Sequence, residues 1–197
     1  MSSQFTEMQL DALRELANIG SGTASTSLSS MLGRAVDISV PAAQALSFAD
    51  AIDAIGPPEE EVTGVLLGVV GEIDGIVLLL IRTDDAGLLC RMLGVEPDSE
   101  MAPSAIGEIG NIVGSSYVNA LADMTGLAIE PSPPQSTTDM LGAIVATVLT
   151  GIAGADDVAL VLDSDLTVEG DDCSLTFLML PTRDGVEELL GRLGLGS

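Results

Sequence analysis

Two pairs of polar residues in this sequence have the types and spacing to do chemistry: Glu15 with Asn18, and Glu108 with Asn111. In each, the carboxylate precedes the amide by three positions. On a helix turning about 100° per residue the two side chains share one face. Asp11 extends the first stripe and Ser104 the second, and each asparagine is followed 23 positions later by a proline, Pro41 or Pro134. Such a pair carries no nucleophile and no metal. The chain has no histidine, which excludes Ser–His and Cys–His pairs and leaves a zinc site almost no ligands. A Glu/Asn pair can instead complete a site that another molecule brings. The amide carbonyl can accept a hydrogen bond from a water, its NH2 donates without charge, and the carboxylate can meet a cation. One such pair on a solvated helix is ordinary surface. Its duplication points to function.

The duplication extends well beyond the pairs. Ile19, Leu28, Met31 and Gly33 recur as Ile112, Leu121, Met124 and Gly126, and Ala35, Val36, Asp37 and Ser39 as Ala128, Ile129, Glu130 and Ser132, always 93 positions apart. The helices that must position the pairs are legible from periodicity. Leu10, Leu13, Ala17, Ala24, Leu28 and Met31 form the stripe opposite the first pair. Ile106, Ile109, Val113, Tyr117, Leu121 and Met124 form the one opposite the second. Gly20, Gly107, Gly110 and Gly114 fall near these core faces and predict close packing, whereas Gly22 lies on the motif face and leaves room for a docked partner.

The doubled [DS]xxxExxN motif with its proline resembles the CheC family of chemotaxis phosphatases, across nearly the whole chain. That resemblance implies a phosphatase acting on the response regulator CheY. Asn18 and Asn111 would orient the attacking water, and Glu15 and Glu108 would contact the active-site lysine of CheY. Asp11 and Ser104 would support docking or the glutamate, while Pro41 and Pro134 are structural, ending the short strand. The chain would need no cofactor of its own, the Mg2+ sitting on phosphorylated CheY. The competing implication is a regulator or scaffold that binds CheY, or the CheD deamidase, without useful hydrolysis. A phosphatase of free small molecules is disfavoured, because no lysine or arginine cluster offers a phosphate cradle.

In chain order, residues 6–32 read as a helix with Thr6 as N-cap and Gly33 as the stop. Residues 36–40 read as a short strand closed by Pro41, 42–54 stay ambiguous, and 62–70 with 76–82 form a hairpin. A helix over 84–93 has Thr83 as its cap. The second half predicts a helix over 104–125 and strands over 128–130, 141–149, 158–162 and 174–180. Residues 163–172 read as a polar turn or extended hairpin tip, and 182–193 as a closing helix. These elements predict an α+β fold: one domain over 1–197, built of repeats 9–94 and 101–194 related by a pseudo-twofold axis. The halves share a largely antiparallel sheet packed by the motif helices, and the chain is expected to be a monomer.

Apolar residues make up 47% of the chain and aromatics 2%, so the core is aliphatic. The N-terminal residues show no signal peptide and no apolar run spans a bilayer, so a cytoplasmic protein is expected. Cys90 and Cys173 occupy non-equivalent positions in the two halves. Thirty acidic residues against six arginines give a net charge of −24, which disfavours nucleic acid and anionic membranes as partners. The acids are spread along the chain, which favours adaptation to a salty cytoplasm over an acidic groove for a basic partner. Thermal stability should therefore rise from low to molar salt as carboxylate repulsion is screened. Melting temperatures that are flat or fall over that range favour the acidic groove.

Overall fold

Strands that are apolar on both faces need cover on both, and this requirement sets the architecture. The structure, a computed structural model, describes residues 5–151, 158–169 and 171–196. Its first half runs α1 (Glu7–Leu32), β1 (Val36–Ser47), α2 (Phe48–Ile55), β2 (Glu61–Gly71), β3 (Gly75–Arg82) and α3 (Thr83–Met92). The second runs α4 (Ala102–Thr125), β4 (Ile129–Pro131), β5 (Gln135–Met140), α5 (Leu141–Gly151), β6 (Val158–Val168), β7 (Asp171–Pro181) and α6 (Arg183–Arg192). The strands form one sheet in the order β1-β6-β7-β3-β2-β4, with β5 also on β2, and all its pairings are antiparallel. This is the α+β fold predicted from the repeat.

The pseudo-twofold axis can be placed from the register. Leu78 pairs directly with Leu178, its own counterpart 100 positions on, so the axis passes through that pair. The relation carries outward in the order of strands: β1 pairs with β6 as β4 and β5 pair with β2. Each motif helix is thus followed by a strand that joins the other half's hairpin. On one face of the sheet Val65, Leu67, Leu79, Ile81 and Phe177 are buried with Leu13, Ala24, Leu28, Ile109 and Val113 of α1 and α4. On the other face Leu78, Leu80, Leu178 and Leu180 are buried with Ala51 of α2 and Leu141, Ile144 and Val145 of α5. Each such leucine contributes about 1.5–3 kcal/mol by leaving water.

The motif helices lie side by side because their small residues allow it. A Cβ on Gly20 would come within 2.9 Å of the Tyr117 Cα, and on Gly110 within 2.6 Å of the Val65 side chain. Both helices stop at matching glycines, Gly33 and Gly126, with φ of 64° and 69°. Thr6 caps α1 as predicted and does so in a capping box: Gln9 N–H donates to Thr6 Oγ1 at 3.3 Å and Thr6 N–H to Gln9 Oε1 at 2.7 Å. No helix among the described residues is long and apolar enough to cross a membrane.

Four expectations from the sequence need correction. Residues 141–149 are not a strand but lie in α5; a short apolar run reads alike for either element, and burial against the sheet decides it. Pro41 does not end β1. The strand runs on to Ser47, and the proline lies in a bulge where the register slips between Ser39 and Ala42, so its missing N–H breaks no regular ladder. Thr83 does not cap α3; it donates from Oγ1 to the Glu61 carbonyl at 2.9 Å, and Arg82 takes the cap position. Met124, assigned to the core stripe, is 49% exposed in the last turn of α4.

Tyr117 lies where α1, α4 and the sheet meet, its ring 4.3 Å from that of Phe177 and its hydroxyl 3.4 Å from Ser164 Oγ. Burial pushes its hydroxyl up to about 12, against the partial offset of the Ser164 hydrogen bond. The folded state therefore holds the phenol proton more tightly than the unfolded chain. Stability from this group is complete below about pH 10 and falls as pH rises towards 12. The chain has no lysine to titrate in this range, and the Cys90 thiol, also pushed up by burial, contributes to the same limb. Tyr117→Phe should flatten the alkaline limb of stability in denaturant titrations between pH 9 and 12.

Candidate functional site

The edge of a sheet leaves a row of backbone donors without partners, and the first motif helix meets that row along β1. Three α1 side chains, Asn18, Ser25 and Ser29, lie on one helical stripe (spacing i, i+7, i+11). Val36 N–H donates to Ser29 Oγ at 2.9 Å, Ile38 N–H to Ser25 Oγ at 2.9 Å, and Val40 N–H to Asn18 Oδ1 at 3.1 Å. Asn18 Nδ2 faces the Val40 carbonyl at 3.5 Å, so both ends of the amide address the backbone of one residue. The residue immediately before the motif proline is thus clipped to the motif asparagine.

The second half meets the same edge differently. The positions equivalent to Val36, Ile38 and Val40 are Ile129, Pro131 and Pro133, and two of the three donors are missing because they are prolines. Ile129 N–H turns to the Leu127 carbonyl at 3.0 Å. The helix positions matching Ser25 and Ser29 are Val118, which is buried, and Ala122. Asn111 consequently faces no backbone donor at position 133, and its Oδ1 accepts from Ser115 Oγ at 3.2 Å. In α1 the position of Ser115 is Gly22, around which no atom lies within 4 Å of an added Cβ.

Glu15 and Glu108 are exposed as predicted, whereas Asn18 and Asn111 are half-buried, Asn18 turned towards the Val40 backbone, so the asparagines are less outward than the spacing predicts. Ile19 beside the first pair is 41% exposed, and its counterpart Ile112 is half-buried. Asp11 pairs with Arg14 at 3.2 Å across one turn, both solvated. Ser104 is exposed in the first turn of α4. Pro41 and Pro134 lie at the matching interruption of β1 and of the β4–β5 edge. Among the described residues no group of three or more His, Cys, Asp or Glu side chains could hold a metal ion. The geometry offers, on each motif helix, an exposed carboxylate beside a half-buried amide.

The sequence puts Ser115 on the face of Glu108 and Asn111 and makes Pro131 and Pro133 part of a stiff loop, but gives none of them, nor Val40, Ser25 and Ser29, a part in the site. The i, i+7, i+11 stripe and the alternating prolines were the available signals.

The sequence pattern of the CheC-like family matches residues 8–44 and 101–137, each motif helix with its following strand. The CheY-P phosphatase CheC of Bacillus subtilis (strain 168) is 33% identical over 198 residues, covering 95% of this chain and 95% of its own. The chain belongs to the CheC-like family. Two solved structures share the fold of this family member. Thermotoga maritima FliY superposes with a TM-score of 0.79 at 21% identity, covering 98% of this chain and 100% of that one. The CheX–CheY–BeF3–Mg2+ complex from Borrelia burgdorferi gives a TM-score of 0.51 at 16% identity, covering 86% and 97%.

The unequal clips predict unequal stability costs. Asn18→Ala leaves the Val40 N–H without its partner and should destabilise by about 1–2 kcal/mol more than Asn111→Ala. Both changes carry the same gain in helix propensity, so the difference between the two mutants in urea melts reads the clip net of the Ser115–Asn111 hydrogen bond.

Proposed function

We propose that this CheC-like protein hydrolyses the acyl phosphate of phosphorylated CheY, using the Glu15/Asn18 and Glu108/Asn111 pairs to complete the partner's active site. The observation that carries the reading is the pair itself, presented twice on adjacent helices in a chain aligned end to end with a CheY-P phosphatase. An aspartyl phosphate is already activated, and the regulator's own Mg2+ and lysine neutralise charge on the phosphoryl group. What the second protein must add is a water held in line with phosphorus. Asparagine accepts from that water through its carbonyl and carries no charge to repel the phosphoryl oxygens. Glutamate pairs with the lysine and holds the helix in register. The water oxygen bonds to phosphorus as the bond to the aspartate oxygen breaks. Inorganic phosphate leaves, and the aspartate carboxylate is restored.

A binding-only role, as a regulator of CheY or CheD, has one observation in its favour. Asn18 has a structural duty at the strand edge, so its presence does not by itself require catalysis. Asn111 has no such duty, and that favours the hydrolytic reading.

The test is phosphate release from acetyl-phosphate-charged CheY, paired with binding to CheY carrying a stable phosphoryl mimic. The Asn18→Ala/Asn111→Ala double variant should lose turnover by on the order of 100-fold while binding the mimic nearly as well, because water placement acts in the transition state. Glu15→Ala with Glu108→Ala should weaken binding as well. A double asparagine variant with parental turnover would sink the hydrolytic reading, and one that loses binding and turnover together would favour the binding-only role.

A further inference from the structure

We infer that the two sites are unequal: the Val40 backbone restrains Asn18, whereas Pro133 leaves Asn111 to Ser115, so the second site carries most of the turnover with Ser115 as its positioning residue. The inference rests on the hydrolytic reading above and divides it between the sites.

A carbonyl oxygen that must aim at a water needs a lone pair free and an amide plane that can turn. Each asparagine oxygen accepts one bond and keeps one lone pair, so the sites differ in the second need, which Asn18 meets poorly. Its Oδ1 accepts from Val40 N–H at 3.1 Å and its Nδ2 faces the Val40 carbonyl at 3.5 Å, which together pin the plane against the strand. Turning it strands a backbone donor on a sheet edge, where no other partner is built. The second site is relieved of this conflict by one residue. Position 133 is proline and has no N–H to claim Asn111.

Freedom alone would leave Asn111 unplaced, and Ser115 supplies the hold. Its hydroxyl donates to Asn111 Oδ1 at 3.2 Å from one turn along the same helix. A hydroxyl rotates, and it both donates and accepts, so it can steady the amide in the free protein and share the attacking water once the partner docks. The first site has Gly22 at this position, with open space around it, and no side chain to act likewise.

The experiment compares phosphate release from acetyl-phosphate-charged CheY across single variants of the full chain. Asn111→Ala should lower kcat about 10-fold, and Asn18→Ala less than about 2-fold. Ser115→Ala should lower kcat several-fold with KM little changed, and Ser115→Thr, which keeps the hydroxyl, should restore it. Within Asn111→Ala, adding Val40→Pro removes the clip and should raise the residual rate. If that variant does not fold, Pro133→Val within Asn18→Ala supplies the reverse change and should slow the second site. Val40 amide hydrogen exchange should accelerate in Asn18→Ala, and an unchanged rate there overturns the clip. Equal losses from the two asparagine variants, with an active parent, overturn the inequality and leave the hydrolytic reading standing. Ser115→Ala with parental kcat overturns the role of Ser115. A parent that releases no phosphate overturns the hydrolytic reading and this division of it together.

Discussion

The pairing of β3 with β7 is the constraint on which the remainder of this structure depends. Where they pair, both strands are mostly apolar and buried on two faces, so each needs a strand partner and cover on both. Meeting each other with Leu78 against Leu178 satisfies the first need and fixes the axis. The two outer hairpin strands, β2 and β6, then present free edges. Each is taken by the strand that follows the other half's motif helix. The exchange draws α1 and α4 onto the same face of the sheet, where Gly20 against Tyr117 lets them approach. The position of the Glu/Asn pairs follows from a leucine pair near the centre of the sheet.

Closing the sheet leaves two outer edges, and the halves treat them by opposite means. Along β1 the donors are kept and satisfied by polar side chains from the helix above. Along β4 and the residues before β5, two of the donors are removed by proline and the helix above is apolar at the matching positions. Either solution suppresses pairing with another chain. Their side effects differ, because the first recruits a residue of the site and the second does not. On the proposed function, edge protection and site chemistry therefore compete for Asn18 and are separated at Asn111.

The repeat, the phase of the motif helices, the hairpins and the antiparallel sheet were legible in the sequence because each leaves a local or fixed-offset trace. Spacing alone put Glu15, Asn18, Glu108 and Asn111 on exposed faces; the glutamates are exposed, and the asparagines are half-buried. The sequence did not reveal which element residues 141–151 form. Leu-Gly-Ala-Ile-Val-Ala-Thr is apolar in every direction, so periodicity had nothing to resolve and packing across the sheet decided. Nor could it place Pro41 inside a strand, since a bulge exists only relative to a partner 122 or more positions away in β6. The Val40–Asn18 clip is hidden for a related reason. Its acceptor is a side chain but its donor is a backbone group, which carries no residue identity to read.

The direct meeting of Leu78 with Leu178 has an evolutionary corollary. Two separate copies of one half, joined through that self-complementary strand, would form a closed pair with the same sheet and two identical sites. In such an assembly a substitution is inherited by both sites at once. A proline that frees one asparagine would free its twin and strip both edges of their donors. Joining the halves in a single polypeptide lifts this coupling. Val40 and Pro133 can then differ, and one site can be held for architecture while the other is released for chemistry.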